Sequence, residues 1–249
     1  MLTVLGYTGA GTRGQLVKQA DLLVRMAVLG AALCIGAEDA GAGAWPREEG
    51  AYFIAIGGNV ALSEAAQRPV HYDPTLYVEY GLTGDLTVGL DGYLADAGDA
   101  GSGYLFARYP LRFGPFGDPD GPWRLAASVG VGGTIMPSDE VQGSLRAGVH
   151  LGYGMESGWI ALDADLVQFI GTGELQGKLA GTWGVDLNER WTAIFEAQVG
   201  TGLTGDVYAK ISPSIAWHPS ERWTLRIGLA HALTGDRGTG FMVQTWLEF

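Results

Sequence analysis

From Ala51 to the terminal Phe249 the chain is a succession of segments in which apolar and polar residues alternate, each bounded by clusters of Gly, Pro, Asn or Asp. Alternation with period two marks a strand whose two faces meet unlike surroundings. Twelve such segments can be counted, at 51–62, 72–82, 85–96, 103–113, 123–135, 141–154, 159–170, 174–187, 191–201, 206–217, 222–233 and 240–249. The count is even, and each segment is close to the ~9 to 11 residues with which a tilted strand crosses a bilayer. The expected fold is therefore all-β, an up-and-down antiparallel transmembrane barrel of about 12 strands over residues 45–249. Composition agrees, because 41 glycines in a chain that is 47% hydrophobic work against helices, where each interior Gly costs about 1 kcal/mol relative to Ala.

The residues before these strands read as a leader. Met26 to Ala37 form a short apolar run, preceded by Arg13, Lys18 and Arg25 and followed by Ala40-Gly41-Ala42-Gly43-Ala44. This is the pattern of a secretory signal peptide, with residues 1–44 removed and cleavage expected after Ala44. The run is shorter than the roughly 17 to 25 apolar residues of a spanning helix. Cys34 is preceded by Leu33, where a lipoprotein signal wants a small residue, so lipidation is not expected. The leader carries three bases and three acids, so the remaining 205 residues keep the net charge of −12 and contain no cysteine. A disulfide framework and thiolate metal sites are thereby excluded, and nucleic acid is not an expected partner. No cofactor is implied, and the four histidines show no metal-ligand spacing.

With the C-terminus on the inner side, the connections at Thr83-Gly84, Gly114 to Pro122, Glu156 to Gly158, Asn188 to Arg190 and His218 to Glu221 share one end. Trp123, Trp159, Trp191 and Trp223 each begin a strand after one of these turns, and Trp217 ends one just before. Their recurrence predicts an aromatic girdle at the headgroup boundary, where an indole keeps its N–H wet. A one-hairpin repeat supports this, since Glu189-Arg190-Trp191-Thr192 returns as Glu221-Arg222-Trp223-Thr224 and Leu203-Thr204-Gly205-Asp206 as Leu233-Thr234-Gly235-Asp236.

If the apolar parity faces lipid, the other parity places Glu79, Asp91, Arg108, Arg146, Asp163, Asp165, Lys178, Glu196, Lys210 and Arg226 inside, near the middle of their strands. Inward placement avoids the roughly 2 to 4 kcal/mol that a charge costs on the lipid face at mid-membrane. Hairpin register sets Asp91 against Arg108, Glu196 against Lys210 and Asp165 close to Lys178, as cross-strand neighbours. These ten residues are the expected lumen constriction. They suit either a narrow pore that selects small solutes or a salt-bridge ladder that fills a barrel and carries nothing. Ser128, His150 and Asp163 share the inward parity, with His150 opposite Asp163, and form a candidate nucleophile line. No nucleophile elbow surrounds Ser128, so no catalytic residue is assigned. The outer connections carry Glu64, Asp96, Asp99, Asp139, Glu140, Asp206 and Asp236, which predicts a negative outer mouth.

The last strand, Gly240 to Phe249, puts Phe241, Val243, Thr245, Leu247 and Phe249 on one face and Met242, Gln244, Trp246 and Glu248 on the other. It resembles the C-terminal signal strand of bacterial outer-membrane barrels, whose final Phe marks them for the barrel assembly machinery. That resemblance implies the cell outer membrane, with outer-membrane lipid and lipopolysaccharide as surroundings. Ala44-Trp45-Pro46-Arg47-Glu48-Glu49-Gly50, followed by Tyr52 to Ile56 and Tyr77 to Gly89, is similar to the opening of the outer-membrane proteins of the phenol meta-degradation pathway. This implies passive diffusion of small-molecule solutes, including aromatic or apolar compounds. A plugged or gated structural barrel and a lumenal hydrolase are the alternatives.

Overall fold

The computed structural model describes residues 43–61, 72–95, 100–135, 140–201, 205–234 and 238–249. The expected leader up to Ala42, with Cys34, and the outer-connection acids Glu64, Asp96, Asp99, Asp139 and Asp236 lie outside the described residues. Twelve strands follow one another: β1 (Tyr52–Ala61), β2 (Tyr72–Gly81), β3 (Thr87–Ala95), β4 (Ala100–Pro110), β5 (Trp123–Ile135), β6 (Val141–Met155), β7 (Gly158–Phe169), β8 (Leu175–Asn188), β9 (Trp191–Thr201), β10 (Val207–Ser220), β11 (Trp223–Thr234) and β12 (Thr239–Glu248). Each pairs antiparallel with its sequence neighbours, and β1 pairs with β12 to close the barrel. Closure leaves no sheet edge, which is the condition for burying backbone in lipid. The seam runs from Phe53↔Glu248 to Ala61↔Gly240. At its end Tyr52 and Phe249 exchange N–H···O bonds of 2.9 and 3.0 Å.

The two faces separate as the alternation demands. Leu105, Val129, Val131, Leu145, Leu166, Phe195 and Leu229 stand exposed on the outside, Val129 at 66%. In water such a belt would be a severe aggregation liability; in hydrocarbon it is the solvated surface. Trp191 stacks on its register partner Trp217 at 6.2 Å between ring centroids, and Trp217 lies 6.1 Å from Trp223. Trp123 packs on Tyr153 and Phe116. Trp223 donates its indole N–H to Thr245 Oγ1 at 2.7 Å. The repeated Trp-Thr dipeptides thus turn their indoles outward, while their threonines point inward and clasp His218, which lies 2.9 Å from Thr192 Oγ1 and 2.8 Å from Thr224 Oγ1.

Trp159 departs from the girdle expected for it. It shares the parity of Asp163 and Asp165, and its ring lies inside the barrel against Gly184, where a Cβ would meet it at 2.5 Å. There it packs on an interior apolar cluster of Phe53, Ala55, Ile194, Ala216 and Trp246.

Candidate functional site: the barrel interior

A cavity of about 1220 Å³ occupies the interior, and all ten charged residues expected to face inward are on its wall. Their pairing follows the barrel's true register. The β3–β4 hairpin sets Thr87 against Arg108 and Asp91 against Tyr104, four residues out of step with the expected Asp91–Arg108 pair, because β4 begins at Ala100 and the connection is shorter. Arg108 instead reaches across β3 to Glu79 on β2. Asp91 is held by Arg146 Nη1 at 2.5 Å, from β6 across the interior.

The expected Glu196–Lys210 pair is likewise replaced. Register puts Glu196 opposite Ser212 and Lys210 opposite Gln198. Glu196 is approached by Arg226 Nη2 at 3.5 Å and accepts a hydrogen bond from Gln198, while Lys210 Nζ sits 5.1 Å over the Tyr208 ring. Asp165 and Lys178 are direct register partners. A double-mutant cycle on Glu196→Ala and Arg226→Ala should give a coupling of about 0.5 to 3 kcal/mol, and one on Glu196→Ala and Lys210→Ala a coupling near zero. A larger coupling for the lysine pair would contradict the register.

Among the described residues, the most buried ionic group is centred on Glu79, which is 1% exposed. Its carboxylate accepts from Arg47 Nε at 2.5 Å, from Arg108 Nη2 and from the Tyr77 hydroxyl at 2.5 Å. Arg47 is not in a strand, and no periodic pattern marked it as interior. It belongs to residues 43–50, which form a strap inside the inner mouth. Gly50, at φ +85°, turns the strap into β1 and bonds to the Gly81 carbonyl at 2.8 Å. Gly81 is bare because a Cβ there would sit 1.8 Å from the Glu48 carbonyl oxygen. Arg47 N donates to Thr87 Oγ1 at 3.0 Å. Ala44 is fully buried, and Trp45 lies on Gly152 of β6, where a Cβ would fall 2.5 Å from the indole. Gly43 lies beside Asp163 and His150 of the far wall. Because β2 and β7 are five strands apart in a ring of twelve, the strap crosses the mouth nearly along a diameter.

Ser128, His150 and Asp163 are brought together. Ser128 Oγ is 2.8 Å from His150 Nε2, and His150 Nδ1 is 2.8 Å from Asp163 Oδ1. A carboxylate can only accept, so Nδ1 carries a proton and, in the neutral ring, Nε2 accepts from the serine hydroxyl. This is the connectivity of an acyl-transfer relay, but the surroundings oppose that chemistry. Ser128 is paired on both sides, with Arg108 and Gly148, so the local backbone N–H groups are committed to the ladder rather than free to hold an oxyanion. A Cβ on Gly148 would meet Asp165 Oδ1 at 2.5 Å and Ser128 Oγ at 2.6 Å. A second carboxylate therefore stands next to the serine, where a developing negative charge would be repelled.

Comparison with solved structures gives the KdgM porin, at TM-score 0.55 and 10% identity over 78% of this chain and 99% of that one. The NanC porin matches at TM-score 0.56 and 10% identity, over 78% of this chain and 98% of that one. The fold is that of the outer-membrane porins. With its apolar exterior, this is the architecture of a β-barrel that spans a membrane. A second KdgM structure, described as a complex with disordered oligogalacturonate, matches at TM-score 0.54 and 11% identity, over 78% of this chain and 99% of that one. No protein-family model matches the chain, and no curated protein matches it by sequence. The resemblance to the phenol meta-degradation family is not shown by these comparisons.

Proposed function

We propose that the protein is a narrow passive channel for small dipolar solutes. The observation that carries this reading is the cavity lining, which bears six basic and seven acidic side chains from the barrel wall and the strap, most of them in the opposed pairs described above. A wall of alternating sign attracts both ends of a dipole and gives neither cations nor anions a deep well. Rings at Tyr77, Tyr93, Phe106, Tyr208 and Trp246 also reach the cavity, offering flat apolar surface to a ring-bearing solute. They support the passage of aromatic compounds as well as sugars. A barrel of 12 strands lies between small barrels filled by side chains and 16-stranded water channels, so the path is narrow.

The strap and the interior apolar cluster favour a second reading, a barrel closed at its inner mouth until the strap shifts. Planar-bilayer recording separates the two. A constitutive channel gives small, steady conductance steps with little preference between K⁺ and Cl⁻. Silence of the wild-type protein, with steps appearing once the strap is displaced, would replace the constitutive channel by a gated one. Silence of both would sink transport altogether.

A further inference from the structure

We propose that Asp163, oriented by His150 and Ser128 and backed by Asp165, is the receptor for the chain's own α-ammonium group, that of Gly43 after cleavage of the Ala42–Gly43 bond. The proposal is independent of what passes through the barrel. Hydrolysis of that amide by a leader peptidase, with water as co-reactant, leaves a carboxylate on Ala42 and an ammonium on Gly43. The residues before it, Ala40-Gly41-Ala42, have the small-x-small pattern such a peptidase takes.

Three observations favour this bond over cleavage two residues later. Ala44 is 0% exposed and would be about 2.9 Å from a Cβ on Gly152, so it is a packed component of the folded strap. Gly43 approaches the wall so closely that a Cβ on it would lie 2.7 Å from Asp163 Oδ1 and 3.4 Å from His150 Nδ1. Cleavage after Ala44 would discard both. Asp163 also has the right chemistry for a cation from outside the wall. Its register partners are His150 on one side and Ala180 on the other, whereas Asp165 has Lys178. The two carboxylates that discourage an oxyanion at Ser128 favour a primary ammonium. His150, with Nδ1 donating to Oδ1 and Nε2 accepting from Ser128, holds the Asp163 carboxylate in place. The strap is then pinned at one end by the Arg47–Glu79 pair and at the other by its own terminus.

The full 249-residue chain, produced in a host with an outer membrane and recovered from that membrane, provides the test. Its intact mass should correspond to a protein beginning at Gly43; a beginning at Trp45, or at any other residue, overturns the proposal. The mature protein is then treated with an amine-acetylating N-hydroxysuccinimide ester and mapped by mass spectrometry. Paired with Asp163, the α-amine at position 43 should react about tenfold more slowly in the wild type than in Asp163→Asn or Gly43→Ala, the effect of roughly one unit of proton affinity. Gly43→Ala changes the strap and not the wall, so it carries the comparison if Asp163→Asn does not assemble. Equal rates in wild type and variant overturn the receptor.

Discussion

Glu79→Ala should lower the unfolding free energy of the barrel by about 3 to 5 kcal/mol, the loss expected when one partner of a buried ionic group is removed and the others keep their charge. Here the groups left behind are two guanidiniums, Arg47 and Arg108, both buried. Their rings for cation–π contact, Phe53 at 4.4 Å and Phe106 at 5.9 Å, do not replace a carboxylate. Asp91 is a useful contrast. Its side chain is 39% exposed in the wetter part of the cavity, and Asp91→Ala should cost about 1 kcal/mol or less. Urea titration of the refolded variants in detergent measures both. A Glu79 effect no larger than that of Asp91 would mean that water reaches the cluster and that the strap is not seated as described.

Gly152→Val is expected to raise single-channel conductance about twofold or more, because a strap one chain wide takes a large share of the cross-section of a 12-stranded lumen. Valine's Cβ would fall 2.5 to 2.9 Å from the Trp45 ring and the Ala44 methyl. Those are atoms of the strap and not of the wall, so the strap yields and the β6 ladder remains. Paired bilayer recordings of wild type and variant measure the change. Unchanged conductance would show that the solute path does not pass the strap.

The strands were legible because their alternation is a physical necessity between lipid and lumen, and eleven of the twelve begin within two residues of where the alternation put them; the exception is β4, which starts three residues early. Which residues face inward followed from the same parity. Trp159 could have been placed by it too, since Asp163 and Asp165 on the same strand fix the phase; its position after a turn suggested the girdle instead. Pairing was less legible. Register depends on the length of each connection, and in a barrel the partners of a lumen charge come from across the interior as well as from the next strand, as Arg146 does for Asp91. The strap left no periodic signal at all. Its trace in the sequence is indirect, in glycines such as Gly81 and Gly152 on strands where a side chain would otherwise be expected.

The seam between β1 and β12 has a consequence for assembly. Every other pair of neighbouring strands is joined by a local hairpin, whereas Phe53 meets Glu248 across almost the whole described chain. Contacts of such separation form late, because the entropy of closing a long loop must be met before they reward it. Eleven hairpins can therefore zip from local encounters while the ring stays open as a curved sheet with two sticky rims. Sealing those rims is therefore expected to be the slowest step, and until it happens the exposed backbone of β1 and β12 offers edges to which another strand can add.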